Sequence, residues 1–418
     1  MLRREYGTFQ LAPTGTAPGT TRAVTAAAWA RSLWEQLSWW GAPLAVIGMI
    51  VCARHGRRSA LDLALVAAPC LSIAVFILLC NLPADRMPYG QVVCRFWQQS
   101  DIFIFVWCGL GLAEIERRLK RDMTAVAAVG SLVLPVARFH ALDRHDSELV
   151  RSYGAEILRA APPGALLLTK GDVISNTVRY LQTVVGQRTD VSVADQSLLG
   201  FAWYRPKWIA DHPEIRIPPG HYMPGVHDGF TMRELLDENY GRVPILICGG
   251  VRAGDLSADG TYGRWPFGLC EIMHSGTEPV NVDDWLRQSA DALPRIEFAR
   301  AVRPLGSWED VVWSDYWEVR QSRAAQLLTI AGADPSRRRY IAIAAGILRD
   351  TIDENPGVPP HVYRNLAIAL GREGLATAEQ RADTAAAWTR YLRVVPESAP
   401  DRARVEAEIR RLTSGASE

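Results

Sequence analysis

Asp172 sits where a strand gives way to a helix in the stretch GALLLTKGDVISNTVRYLQTVVGQRTDVSVADQSLL, Gly164–Leu199. Groups at the carboxyl ends of α/β strands are placed to meet ligands, because the sheet opens its crevice there. Asp172 therefore carries two readings: a ligand contact, or a cap for the turn and the helix behind it. Asn176, four residues on, is the second polar candidate, and with Ser175 it also reads as the helix N-cap. The Lys170-Gly171-Asp172 turn is not a phosphate cradle. It matches neither GxxxxGK[ST] nor GxGxxG, and Gly109-Leu110-Gly111 lacks the third glycine.

Other chemistry is sparse. The chain holds no HExxH, CxxC or GxSxG. His221, His227 and Asp228, with His212 nearby, could supply metal ligands, but His-x5-His on a Pro/Gly loop is not a zinc spacing, so no metal site is expected. In WEDVVWSDYWE, Trp308, Trp313 and Trp317 interleave with Glu309, Asp310, Asp315 and Glu318. Trp beside carboxylate suits a sugar. It equally suits an amphipathic helix whose acidic first turn favours the dipole, which is the preferred reading.

The elements that must carry Asp172 alternate. Ala165–Thr169 is an apolar run between Pro162-Pro163-Gly164 and Gly171, as a buried strand is. Val178, Leu181, Val184 and Val185 stripe one face of a helix over Ser175–Gly186, with Gly186 as its stop. Val191 and Val193 alternate as a second strand, and Val243–Gly250 and Gly268–His274 read as a third and fourth. TMREL and VDDWL open further helices. Alternation of this kind predicts an α/β layer with a mostly parallel sheet.

Four apolar runs precede this layer: Leu37–Ala53, Leu61–Leu82, Ile102–Ala113 and Met123–Phe139. A spanning helix needs about 20 apolar residues; the second run meets this, the first and fourth are short, and the third leans on Phe96 and Trp97. Basic residues crowd the first hairpin (Arg54, Arg57, Arg58) and the third (Arg117, Arg118, Lys120, Arg121). Short Lys/Arg-rich loops stay cytoplasmic, so both hairpins support one topology. The expected fold is a multi-pass α-helical membrane region of four spans, an exported α/β domain and a helical tail. The expected boundaries are 1–36 for an external polar leader, 37–140 for the spans, 141–306 for the α/β domain and 307–418 for the tail. The start shows no apolar h-region behind a basic segment, as a signal peptide would. A polar leader outside the membrane hints at an absent preceding span.

Charges balance, 46 basic against 45 acidic. That argues against a nucleic-acid partner, which needs a basic stripe. Cys52, Cys70, Cys80, Cys94 and Cys108 lie in or beside the spans. Cys248 and Cys270 lie in the exported part, where they are either free or paired in a disulfide. From Trp308 onward the chain reads as helical. His361–Pro396 is tetratricopeptide-like, with Leu366, Ala367, Gly374, Trp388, Tyr391 and Pro396 at packing positions, and Tyr340–Pro356 suggests an earlier unit. Such repeats need neighbours, so the tail should pack on the α/β domain or on a partner.

REYGTF (Arg4–Phe9), CRFWQQSD (Cys94–Asp101), LLLTKGD (Leu166–Asp172), RYLQTVVGQRTDVSV (Arg179–Val193) and SLLGFAWY (Ser197–Tyr204) together make the chain resemble a known family. It is similar to the C-terminal half of the transmembrane-protein-260-type O-mannosyltransferases and their bacterial relatives. The resemblance is weakest over 205–300. It implies a GT-C-like membrane glycosyltransferase that uses a polyprenyl-phosphate sugar donor, with a protein or glycan acceptor on the outer face and no certain further cofactor. Arg95, ahead of the third apolar run, then reads as a contact for the lipid phosphate or as an Arg snorkelling to the interface, and Asp172 and Asn176 as acceptor contacts. The family's catalytic acidic motif lies in the first external loop. Here the segment before the first apolar run holds only Glu5 and Glu35, so the catalytic residues are unknown and are expected on an upstream polypeptide. GDVISNT also departs from the family's GD-x-D-T. A non-catalytic membrane-anchored scaffold, presenting the α/β and repeat domains to a protein partner, is the alternative.

Overall fold

A computed structural model describes residues 22–55, 59–79, 84, 89–137, 139, 143, 145, 147–295, 307–332, 337–355 and 357–414. The motif Arg4–Phe9 with Glu5, and Arg57, Arg58 and Cys80, lie outside the described residues. The chain divides into two compact units, Met1–Ser147 with Arg303–Asp310, and Glu148–Val302 with Val311–Glu418.

The first unit is helical. Helices α1 (Arg22–His55), α2 (Ala60–Leu79), α3 (Tyr89–Leu119) and α4 (Thr124–Ala137) carry the four apolar runs. Residues 22–36, expected in the polar leader, are instead the first limb of α1. The axis of α1 turns by 105° between Leu37 and Trp40. Pro43 accounts for the place of the break, since its ring crowds the carbonyl four residues back and offers no N–H. By length and composition, Ala60–Leu78 can cross a membrane, and α1 is a second such helix if its two limbs form one span. Leu61, Leu63, Leu71 and Leu78 of α2 are exposed while Ile73 is buried beside Phe76 and Ile77, so only one side of its apolar surface has protein cover. Among the described residues α3 and α4 do not meet the same criterion. The 14 residues of α4 reach only ~21 Å against a hydrocarbon core of ~30 Å.

Helices α1 and α3 pack along their lengths through glycine. A Cβ on Gly48 would lie 1.8 Å from the Trp107 carbonyl oxygen, and one on Gly111 would lie 2.1 Å from that of Leu44. Only hydrogen at these positions lets the two backbones meet.

The second unit holds a five-stranded sheet ordered β2-β1-β5-β7-β6. Its strands are β1 (Leu166–Thr169), β2 (Ser192–Asp195), β5 (Ile245–Cys248), β6 (Tyr262–Phe267) and β7 (Cys270–Ser275); β3 (His221–Tyr222) and β4 (Gly229–Phe230) make a separate short pair. β1 is parallel to β2 and β5, whereas β7 runs against β5, and β6 against β7. The expected mostly parallel sheet is therefore mixed, because β6 was not foreseen and enters through a hairpin. Tyr262-Gly263-Arg264-Trp265-Pro266 gives no clean period-2 pattern from which to read it. Cys248 and Cys270, ends of adjacent antiparallel strands, form a disulfide with Cα atoms 4.4 Å apart.

The sheet is covered on both faces, as an all-apolar strand such as Leu166–Leu168 demands. Leu167 and Leu246 face α5 (Leu149–Ala160) and α6 (Asp172–Thr183) through Tyr153, Ile157, Val178 and Leu181. Leu166, Leu168, Ile245 and Ile247 face Trp208 of α7 (Tyr204–Asp211) and Met232, Leu235 and Leu236 of α8 (Met232–Asn239). After α9 (Val282–Asp291) come α10 (Trp308–Ala331), α11 (Arg338–Glu354), α12 (Pro360–Glu373), α13 (Ala378–Val394) and α14 (Arg402–Ser414). Ala344, Ala345, Leu348, Leu366, Ala367 and Leu370 fill the core of this tail together with Trp285 of α9, so the tail packs on the α/β layer. The WEDVVWSDYWE segment is the start of α10, with Val312 and Trp317 buried.

Candidate functional site

The carboxyl edge of β1, β2 and β5 gathers three tied loops. β1 ends at Thr169, whose Oγ1 lies 2.9 Å from the buried Ser175 Oγ in the first turn of α6. Gly171 turns the chain at φ 99°, and α6 opens at Asp172. The helix thus begins three residues before the expected Ser175, with Gly171 as N-cap and no side-chain cap bond. Asp172 and Asn176 are both exposed one turn apart, and neither makes a side-chain hydrogen bond among the described residues. The capping readings of both are corrected: the turn is made by glycine, so their polar groups are left to solvent. The α6 N-terminus adds partial positive charge beside them.

The loop after β5 comes against this turn. Gly249 and Gly250 hold φ 80° and 76°, and a Cβ on Gly249 would lie 2.2 Å from the Lys170 carbonyl oxygen. Lys170 Nζ donates to the Val251 carbonyl at 2.7 Å. Buried Gln196, just past β2, donates to the Gly250 carbonyl at 2.9 Å and accepts from the Arg252 N–H at 3.0 Å. β1 leads to β2 on one side, and β5 lies on the other, so the strand order reverses here. This is the position where open α/β sheets leave a crevice.

The loop continues to Asp255, which is 6% exposed. Its carboxylate accepts from Tyr222 Oη at 3.0 Å, from the Met232 N–H at 2.8 Å, and from the N–H and Oγ of Ser257 at 3.1 and 2.6 Å. Burial pushes this carboxyl up, but the four hydrogen bonds outweigh burial and hold it below the usual range. On the β2 side, Asp195 Oδ1 accepts from the Ser197 and Leu198 N–H groups, and its other oxygen lies 4.0 Å from Arg179. Trp203, 48% exposed, stacks near Phe201 and meets Tyr204 edge-on. Burial pushes the Tyr204 phenol up. The edge therefore offers a free carboxylate, a free amide, an ion pair and a half-exposed indole. Such a set can hydrogen-bond hydroxyls and pack an apolar ring face.

The G-x-R-x-D-V-x-V run is a structural pin. Arg188, at φ 48°, donates to the carbonyls of Leu158 and Ala161 at 2.7 and 2.9 Å and pairs with Asp190 at 2.8 Å. Arg188 pulls Asp190 down to about 2, and the Asp190 carboxylate accepts from the Gly164 N–H. The motif thus locks the end of α5 to the entrance of β1.

In the helical unit, Arg95 is exposed on α3. Asp101, not singled out in the sequence, is 6% exposed and accepts from Gln36 Nε2 at 3.0 Å. Its other oxygen is buried without a partner, as are Ser100 Oγ and the Trp97 indole on α3 and Thr25 Oγ1 on α1. The Trp29 indole lies beside the carboxylate but outside hydrogen-bonding geometry. An acid at the border of an apolar run was the signal available for it. Among the described residues no group of three or more His, Cys, Asp or Glu could hold a metal. His227 and Asp228 are surface groups paired at 3.0 Å.

The chain is 26% identical over 392 residues to a Mus musculus protein, "Protein O-mannosyl-transferase TMEM260", which covers 89% of this chain and 55% of that protein. It is 25% identical over 358 residues to a Dictyostelium discoideum protein, "Protein O-mannosyl-transferase tmem260", which covers 78% of this chain and 43% of that one. The chain spans about half the length of the curated relatives it matches. No protein-family profile matches it, and no solved structure does. The quoted motifs and the comparisons agree: over most of its length the chain is a homologue of the TMEM260-type protein O-mannosyl-transferases.

Proposed function

We propose that the chain is the acceptor-seating part of a membrane O-mannosyltransferase system. In this reading the four apolar runs cross the membrane, the fourth over Met123–Phe139 rather than the 14 residues of α4 alone, with the arginine-rich hairpins in the cytoplasm. The α/β layer and the tetratricopeptide-like tail then stand on the extracytoplasmic side. The donor is a polyprenyl-phosphate sugar and the acceptor a hydroxyl of a protein or glycan. The acceptor oxygen attacks the anomeric carbon, the bond from that carbon to the phosphate oxygen breaks, and polyprenyl phosphate leaves. The acceptor proton passes to a carboxylate base. The relatives carry about half their length outside the match, and the base is assigned to polypeptide outside these 418 residues. Arg95, exposed on α3 ahead of the third apolar run, is assigned to the departing phosphate, whose charge a guanidinium stabilises. The observation that carries the reading is the unengaged pair Asp172 and Asn176 at the carboxyl edge of β1.

The test is transfer from a polyprenyl-phosphate mannose in membranes, with and without the N-terminal polypeptide of a relative. Activity is expected only with both. Asp172→Ala and Asn176→Ala should each lower kcat/KM for the acceptor by about 10-fold, the value of one lost hydrogen bond of ~1.5 kcal/mol. Activity from the chain alone overturns the split of labour. Unchanged acceptor kinetics in both variants overturns the site. Normal membrane expression with no transfer in either combination favours the scaffold.

A further inference from the structure

A second concavity lies where β6 and β7 meet the start of α9. It is a cleft of about 230 Å³ walled by Phe267, Ile272, His274, Asn281, Trp285 and Gln288. β7 runs against β5, with Leu246 opposite Ile272, so His274 lies towards the amino end of β5. The polar side of the cleft thus faces away from the carboxyl edge that carries Asp172, while Phe267 of its wall pairs with Cys270 nearer that edge. Its volume is below the ~300–1,000 Å³ of drug-sized ligand sites, which limits it to about one ring.

Three features define what that ring must be. Phe267, Ile272 and Trp285 supply an apolar wall. Polar groups stand beside it with unused capacity. Asn281 uses its Oδ1 to cap α9, accepting from Asp283 and Asp284 N–H at 3.2 Å, and its amide nitrogen makes no hydrogen bond. Gln288 is exposed with its amide unengaged. His274 Nε2 is buried without a partner, and the ring packs edge-on to Trp265 at 5.4 Å. The remaining charge is negative. Glu278 and Asp284 line the rim, Asp284 being paired with Arg287, and among the described residues no Lys or Arg lines the cleft. Burial lowers the basicity of His274, partly offset by Glu278, which disfavours the imidazolium in the cleft. An anion would meet the Glu278 carboxylate, and the Arg287 guanidinium nearby is already paired with Asp284.

We infer that this cleft binds a neutral pyranose, with its C–H face on the Phe267–Ile272–Trp285 wall and its hydroxyls on Asn281, Gln288 and His274. The inference goes beyond the proposed function and does not require transfer. Such a site would retain an acceptor or product that already bears a sugar.

The experiment is saturation-transfer NMR on the full chain in a detergent without a sugar headgroup. Methyl α-mannopyranoside, mannose 6-phosphate and glucosamine are the probes. The neutral pyranoside should bind saturably in the millimolar range, and the phosphate should not. Gln288→Ala, at an exposed helical position, should weaken binding ~3–10-fold, the range of one hydrogen bond, with thermal unfolding unchanged. His274→Gln should weaken it similarly; if that variant fails to fold, Gln288→Ala decides. Absence of saturable pyranoside binding, or equal affinity in wild type and Gln288→Ala, overturns the site. Binding of mannose 6-phosphate as tightly as the neutral sugar, or of glucosamine alone, overturns the ligand class. Loss of transfer activity with binding intact would count against the proposed function and leave this site standing.

Discussion

Replacing Asp255 by Ala should unpin the loop that closes the carboxyl edge of the sheet. Four hydrogen bonds converge on this carboxylate. Ser257 lies close enough to the surface to rehydrate, whereas Tyr222 and Met232 are fully buried. Stranding two buried donors at ~1–3 kcal/mol each gives ~2–6 kcal/mol, and local relaxation brings this to about 2–4 kcal/mol. The units need not unfold together, so a global midpoint is the wrong readout. Amide hydrogen exchange at Met232 and across Val251–Ser257 reports the local opening directly. Protection there should fall about 30- to 700-fold, with β1 and α6 less affected. The pH dependence has a fixed sign. Asp255 is depressed in the folded protein, so its contribution is present above the unfolded value near 3.9 and is lost as pH falls through the folded value. The difference between wild type and variant should therefore be full at pH 6 and shrink towards pH 2. A loss of protection under threefold, or a difference that grows on acidification, refutes the account.

Gly48→Leu should separate α1 from α3, since its Cβ alone would overlap the Trp107 carbonyl; a lower unfolding temperature and faster proteolysis in detergent are expected. Asp101→Asn keeps an acceptor for Gln36 and should be tolerated, whereas Asp101→Leu leaves the Gln36 amide only its 3.4 Å contact to Ser32 Oγ and should cost ~0.5–1.5 kcal/mol by unfolding in detergent. Equal stability of the two variants would remove the case for a specific polar contact between the helices. Arg188→Lys keeps the charge but loses the planar fork that reaches the Leu158 and Ala161 carbonyls. Exchange protection at the end of α5 should drop ~10-fold or more, and full protection would show that the ion pair with Asp190 suffices.

Periodicity alone marked the buried strands at Ala165–Thr169 and Val243–Gly250, the amphipathic helix expected over Ser175–Gly186, and the apolar runs now found in α1 to α4. These are legible because burial on two faces, or on one helical stripe, writes itself into spacing. The α6 start was misplaced because Ser and Asn are strong cap residues by type, while Gly171 acts through a φ that no side chain announces. β6 was missed because its partner is β7 and its pattern is that of an edge hairpin.

The order of the sheet, the Cys248–Cys270 bond and the meeting of Gln196, Gly250 and Lys170 at one edge join residues up to about 80 positions apart. No local pattern encodes such partners. Asp255 makes the same point: as a residue in a Gly-rich loop it resembles any solvated acid, and only the arrival of Tyr222 and Met232 turns it into an anchor. The sequence by itself determined which segments are apolar, which are helical and which family the motifs resemble, because those follow from short-range spacing. The tertiary structure alone decided which polar groups are consumed in holding the loops and which, like Asp172, Asn176 and Gln288, are left free to meet a ligand. That division depends on hydrogen-bond partners brought from distant parts of the chain.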